Sequence, residues 1–283
     1  MTRQETEEIV RKSDGRICVR YNQAHDKQIR YKDPSQFNIL KKPISYFAAG
    51  TLVIALSFTD GYSQENQQND SSIIQPRSFV FGQITKYIEI APTGISGIIS
   101  ARFLPDGIGP FIKIPVTQLE NKAVSLKELF NDHGEILEEK VINANKNDDR
   151  VKLIETFLLS NLTEQHTIDT ITKSCVDIIF QSQGQVGIGT LAGKMNINRR
   201  NMERRFTSVI GISPKQLAKV ARLQATLKML GQKKFTNLTE IAYENGYFDQ
   251  AHFIKDFKEF SGMNPKSFFT DNLMLSGLFV NGE

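Results

Sequence analysis

From Ser45 to about Pro115 the apolar residues come in short runs, TLVIALSF, RSFVFGQ, KYIEIA, GISGIISARF and GPFIKIP, punctuated by Gly, Pro, Asn and Asp. This pattern predicts antiparallel strands, spaced closely enough for a small barrel or sandwich. The polar stretch SQENQQNDSS, Ser63 to Ser72, reads as a loop. The longest apolar run, Ile44 to Phe58, has 15 residues, against the roughly 20 that a membrane-spanning helix needs. Its β-branched second half, Thr51 to Phe58, stops just before the turn signal Asp60-Gly61, so a strand is expected there and a membrane anchor is not.

After Leu119 the period changes. Leu126, Leu129, Phe130 and Ile136 give a first helical segment, with a break expected at His133-Gly134. Asp148-Asp149 opens a second, carrying Val151, Ile154, Phe157, Leu158 and Leu162 on one face. Ile168, Ile171, Cys175, Ile178 and Ile179 repeat the pattern. Cys175 thereby falls on an apolar stripe, where it reads as a small buried hydrophobe rather than a reactive thiol.

An internal repeat lies beyond. Leu191-Ala192 aligns with Ile241-Ala242, Phe206 with Phe257, and Gly211-Ile212-Ser213-Pro214-Lys215 with Gly262-Met263-Asn264-Pro265-Lys266. The offset is 50 residues before the central turn and 51 after it, so the second copy has one extra turn residue. Each copy reads as a short helix, a turn, a second helix, then Gly and a capped Pro that opens another helix, which is helix-turn-helix grammar. In the first copy Leu191, Ala192 and Met195 line the inner helix, Asn198 caps the next, and Met202, Phe206 and Val209 face inward. In the second, Asn245-Gly246 turns, Asp249 caps, and Phe253, Phe257 and Phe260 face inward. Ser213 and Pro214 start a joining helix with Leu217, Val220, Leu223, Leu227 and Leu230 on one side, ending at Gly231.

At about 100° per residue, an inward apolar stripe fixes what points out. In the first copy Arg200, Asn201, Arg204 and Thr207 project outward, with Arg199 and Arg205 on the flanks. Arg and Asn are the side chains able to pair bidentately with guanine and adenine edges in the major groove, and flanking arginines suit phosphates. The second copy offers Ala251, His252, Lys255 and Lys258, with Gln250 near the helix start. That makes it the weaker base reader, supplying phosphate contacts plus base contacts through Gln250 or His252.

Charge concentrates where this argument needs it. The net +4 of the 283-residue chain conceals 14 Lys and Arg against 6 Asp and Glu in residues 181–270, whereas residues 44–180 carry 11 against 17. A basic segment beside an acidic one points to a polyanionic partner rather than to general stickiness. An arginine run alone is more often a solvated helix face; here it recurs at matching positions in two copies.

Catalytic signals are lacking in the sequence. The four histidines, His25, His133, His166 and His252, have neither H-x-H nor H-x-x-x-H spacing, so no metal site is expected. Cys18 and Cys175 lack C-x-x-C spacing, which argues against a disulfide framework and fits a reducing cytoplasm. There is no G-x-S-x-G elbow and no P-loop. No catalytic residue and no cofactor are expected. The rival reading is a small-molecule-binding or enzymatic β-barrel whose helical part is an interaction module.

The run Gly246-Tyr247-Phe248-Asp249-Gln250-Ala251-His252-Phe253, continuing to Phe257-Lys258 and Gly262-Met263-Asn264-Pro265, resembles the signature of the AraC/XylS transcription regulators. Asn198, Arg200, Met202, Arg204, Phe206 and Gly211 to Pro214 are similar to that family's first helix-turn-helix. Departures are Ala251 where serine is common, Tyr247 for phenylalanine, Lys255 for arginine, and Phe268-Phe269 where a tyrosine usually lies. They bear on the second helix's base contacts, not on the fold. The resemblance covers roughly residues 170–270 and implies double-stranded DNA as partner, with promoter binding and activation through RNA polymerase.

A looser resemblance, carried by Phe81-Gly82-Gln83 and Ala101 to Gly107, is to a sensor domain of some of these regulators. It implies a small-molecule effector and a homodimer. The expected architecture is α+β. An unassigned charged leader occupies 1–43, an N-terminal antiparallel β barrel or sandwich with helices 44–165, an all-α domain of two helix-turn-helix units joined by a helix 166–270, and a tail 271–283.

Overall fold

The computed structural model describes residues 17–18, 44–46, 52–57, 62–66, 71–92, 98–162, 169–231 and 237–271. Most of the leader, the tail after residue 271, His25 and His166 lie outside the described residues. The chain divides into two compact units. One holds the strands and the helices up to residue 162, the other the helices from residue 169 onward together with Ile84–Tyr87.

Among its described residues the first unit contains nine short strands: β1 (Ile17–Cys18), β2 (Ile44–Tyr46), β3 (Leu52–Ser57), β4 (Tyr62–Asn66), β5 (Ser71–Ile74), β6 (Ser78–Phe81), β7 (Ile88–Pro92), β8 (Ile98–Phe103) and β9 (Ala123–Ser125). All pairings are antiparallel. They build a five-stranded sheet in the order β1-β8-β3-β6-β9 and a four-stranded sheet in the order β2-β7-β4-β5. Among the described residues neither sheet closes on itself, so the β architecture is antiparallel as expected but consists of two open sheets, not a barrel. Strand β3 sits at the centre of its sheet, with Ile54 opposite Val80 on one side and Ala101 on the other. The four residues of β6 are all buried, which is why SFVF reads as an unbroken apolar run rather than an alternation.

Two stretches depart from the sequence reading. Ser63–Ser72 is not a loop throughout: Tyr62–Asn66 pairs with Ser71–Ile74, Glu65 opposite Ser72. Ladder hydrogen bonds are backbone bonds, so polar side chains do not forbid a strand on a solvated face. GPFIKIP is not a strand either. Gly109–Phe111 forms a 3₁₀ turn with a proline in its first turn, and Phe111 alone of the three is buried there, its ring 5.5 Å from that of Phe103.

Helices α1 (Leu126–Phe130), α2 (Asp132–Asn143) and α3 (Asn147–Asn161) close the first unit. The break falls at Asn131, whose φ is 52°, and not at Gly134, which lies inside α2. Gly134 serves close packing instead, since a Cβ there would stand 2.2 Å from the Leu126 carbonyl oxygen. Leu137, Val141, Ile154, Phe157 and Leu158 join Val80, Ile99 and Phe103 in one core. No helix among the described residues is long and apolar enough to cross a membrane.

The second unit is helical: α4 (Thr170–Gln181), α5 (Ile188–Lys194), α6 (Arg199–Ile210), α7 (Pro214–Gly231), α8 (Leu238–Glu244), α9 (Gln250–Ser261) and α10 (Pro265–Asp271). The repeat in the sequence is a repeat of structure. Helices α5 and α8 begin 50 residues apart, α6 and α9 51 residues apart. Both second helices end on a left-handed glycine, Gly211 at φ 89° and Gly262 at φ 68°, the conformation that terminates a helix without a Cβ penalty. Cys175, Leu191, Met202, Phe206, Ile210 and Leu217 share one core. Around Phe257 the rings of Phe253 and Phe268 pack edge to face at 5.7 and 5.4 Å.

Candidate nucleic-acid interface

Both second helices are started by their own side chains. The Asn198 Oδ1 accepts from the Arg200 N–H at 2.9 Å, and the Asp249 Oδ1 accepts from the His252 N–H at 2.7 Å. The joining helix α7 opens on a reciprocal box, in which Ser213 Oγ accepts from the Gln216 N–H while Gln216 Oε1 accepts from the Ser213 N–H. These caps fix where each helix begins and hence which side chains its first turn displays.

On α6 the apolar stripe Met202, Phe206 and Ile210 is buried. Opposite it, Arg200, Asn201, Arg204 and Ser208 are exposed. Neither Arg200 nor Arg204 has an ion-pair partner among the described residues. The flanking arginines differ. Arg199, exposed, pairs with half-buried Glu203 one turn on, at 2.9 Å, a surface pair worth little in water. Arg205 is ion-paired with Asp169, which also caps α4 by accepting from the Thr172 N–H. Burial alone would raise the Asp169 carboxyl, but Arg205 and the Thr172 amide outweigh it and hold it below the usual range. Thr207 is half-buried at the edge of the stripe.

On α9 the outward stripe is Ala251, Lys255 and Lys258, all exposed. His252 and Gln250, which the sequence favours as base readers, sit to the sides. The His252 ring stands edge-on to Tyr247 at 5.3 Å. Its Nδ1 accepts from the Phe248 N–H at 3.5 Å and its Nε2 faces Asp256 at 3.6 Å, too long for a hydrogen bond. Gln250 Oε1 accepts from the Thr239 hydroxyl at 3.1 Å. Bidentate pairing with adenine needs both the oxygen and the nitrogen of an amide, so Gln250 would have to release Thr239 first. Beside the stripe, Phe248 is 85% exposed and Tyr243 64%.

Sequence reasoning missed the residues that tie the second copy to the joining helix and to the turn after α4. Arg222 of α7 donates to the Gly184 carbonyl at 2.8 Å and lies over the Tyr247 ring at 5.1 Å. Gln185 donates to the Glu244 carbonyl at 3.1 Å, and a Cβ on Gly184 would stand 2.0 Å from the Ala218 carbonyl oxygen. Lys219 bridges Asp256 at 3.1 Å and Glu259 at 3.0 Å. The turn after α4, the joining helix and the second copy are thus bolted at three points. One signal was available: Asp256 falls on the inner face with Phe253, Phe257 and Phe260, and a carboxylate on a buried face calls for a cationic partner.

The described residues include no group of three or more His, Cys, Asp or Glu placed to hold a metal ion. Cys175 is fully buried, and burial, helped by the nearby Asp169 charge, pushes its thiol up to about 11.

Comparison with known proteins bears directly on this unit. Residues 191–271 match a family model described as "Helix-turn-helix domain", and residues 38–125 match "Domain of unknown function (DUF6597)". An HTH-type transcriptional regulator of Haemophilus influenzae is 29% identical over 143 residues, covering 49% of this chain and 47% of that protein. The Msm operon regulatory protein of Streptococcus mutans is 28% identical over 118 residues, 41% of this chain and 42% of its own. The match thus spans a little under half the length of each relative. Among solved structures, ToxT from Vibrio cholerae superposes with a TM-score of 0.45 at 13% identity, over 81% of this chain and 95% of ToxT. The C-terminal domain of AraT, a response regulator from Geobacillus stearothermophilus, gives 0.34 at 23% identity over 36% of this chain and 86% of that domain. With two capped helix pairs, their joining helix and the outward arginines in place, residues 191–271 of this chain form a helix-turn-helix domain.

Proposed function

We propose that the chain is a sequence-specific, double-stranded-DNA-binding transcription regulator of the cytoplasm, acting as an activator with no catalytic step of its own. Helices α6 and α9 enter successive major grooves on one face of the duplex, roughly one helical turn apart. The observation that carries the reading is the outward face of α6, where Arg200, Asn201 and Arg204 stand exposed opposite a buried apolar stripe and the two arginines have no ion-pair partner among the described residues. Unpaired guanidiniums in a basic unit are what bidentate guanine recognition requires. Arg204, Arg200 and Asn201 read bases. Arg199, Arg205, Thr207, Lys255 and Lys258 bind phosphates, Arg205 by exchanging Asp169 for a phosphate oxygen. Gln250, Ala251 and His252 line the second groove.

Residues 166–270 form the DNA-binding domain and residues 44–165 a sensor and dimerisation domain, its two sheets facing each other as a sandwich or incomplete barrel. The sensor domain takes a small-molecule effector, and the DNA-bound homodimer contacts RNA polymerase. The test is selection of duplexes bound by the full chain from genomic fragments, followed by salt titration. Neutralising several phosphates should make log K fall linearly with log salt, by about 0.9 for each phosphate, and Arg204→Ala should relax base preference at one position. A chain that binds no duplex, or whose Arg204→Ala variant keeps the wild-type preference, would remove the reading.

A further inference from the structure

We propose, resting on the DNA-binding reading above, that α9 recognises thymine through its 5-methyl group. Phe248 and Ala251 supply apolar contacts, and hydrogen bonds to bases play little part in the second half-site. Three observations lead there. The acceptors on α9 that could face a base edge are already engaged inside the domain, His252 Nδ1 by the Phe248 N–H and Gln250 Oε1 by the Thr239 hydroxyl, and the His252 ring is further held edge-on to Tyr247. What the outward stripe presents is a methyl group, Ala251, followed by two cations, Lys255 and Lys258. An ammonium is a point charge suited to phosphate.

The third observation is Phe248. It occupies the position before the N-cap, where an apolar residue ordinarily folds back onto the helix as a staple, yet its ring is 85% exposed. Tyr247 does the packing instead, its ring 5.3 Å from that of Phe253. The backbone of Phe248 is nonetheless held, by its N–H on His252 and by the adjoining Asp249 cap. A fixed, unpacked aromatic at the tip of a recognition helix meets the end that approaches base edges. There the apolar feature unique to one base is the thymine methyl, which Ala and Phe side chains recognise by contact. The neighbouring lysines make the same surface attractive to a polyanion, which favours DNA over an apolar protein partner.

The experiment uses the full chain and the selected duplex, with each thymine of the second half-site replaced in turn by deoxyuridine, which removes the methyl and leaves every hydrogen-bonding group. At one or two positions affinity should fall about fourfold, the worth of one buried methyl. Phe248→Ser or Ala251→Gly should bind more weakly and no longer distinguish thymine from uracil at that position, while Arg204→Ala keeps the distinction. Specific binding with no deoxyuridine effect overturns this proposal and leaves the DNA-binding reading standing. Failure to bind any duplex removes both. A Phe248→Ser variant that binds thymine and uracil duplexes as the wild type does but loses transcriptional output would assign Phe248 to a protein partner and overturn its part here.

Discussion

Arg222 ties the joining helix to the turn after α4 and to the second helix-turn-helix copy. Its guanidinium donates to the Gly184 carbonyl at 2.8 Å and stacks over Tyr247 at 5.1 Å, so one side chain reaches the turn after α4 and the residue that follows the Asn245-Gly246 turn of the second copy. A hydrogen bond from a charged group contributes about 1.5–3 kcal/mol, and a partly desolvated cation–π contact about 0.5–2 kcal/mol. Arg222→Ala, which also strands the Gly184 carbonyl, should therefore cost about 2–5 kcal/mol. Arg222→Lys, which keeps a charge but not the planar fork, should fall between. Urea denaturation of the full chain reads this as a lower midpoint at unchanged slope for the transition of the helical unit. In duplex binding, the variant should still engage each half-site while losing its preference for their native separation. An Arg222→Ala protein with a wild-type midpoint, or with wild-type spacing preference, would show that the copies are held together by something else.

Other outcomes follow from the same geometry. Phe257→Ala, at a fully buried ring between Phe253 and Phe268, should cost about 3–5 kcal/mol by urea denaturation; a loss below 1 kcal/mol would mean the aromatic cluster collapses around the hole. The folded Asp169 carboxyl lies below its ordinary value, so the stability it lends is complete above the usual aspartate range and drains as pH falls through the lower folded value. The stability gap between wild type and Asp169→Asn should thus be wide at pH 7 and narrow in acid, and a gap independent of pH would contradict the pairing with Arg205. Cys175, its thiol pushed up to about 11 in a buried site, should be alkylated at pH 8 only as fast as the helical unit opens; prompt labelling of Cys175 in the native protein, mapped by mass, would refute its burial.

How much of this was legible beforehand follows from the range of the forces concerned. The helices of the second unit were readable because their signals are local: Asn198, Ser213 and Asp249 cap, Gly211 and Gly262 stop, and the stripe between them repeats every three or four residues. The β4–β5 hairpin was not, because its partner strands are chosen by backbone pairing that leaves Gln64 and Glu65 free to be polar. Gly134 misled for a related reason, its lack of a Cβ serving a neighbouring backbone rather than a turn. In the candidate site, helical periodicity placed Arg200, Arg204, Lys255 and Lys258 outward correctly. It could not reveal that Arg205 is spent on Asp169, or His252 on Tyr247, since those partners lie 36 residues away in one case and on the preceding turn in the other. Arg222 stayed hidden among the apolar positions of α7.

The most direct test of two recognition helices held at a fixed separation is to insert base pairs between the half-sites of a selected duplex and measure the affinity of the full chain. Inserting about half a helical turn, ~5 base pairs, should turn one half-site to the far side of the duplex and reduce binding to that of a single half-site. Affinity that is indifferent to the insertion would contradict the account.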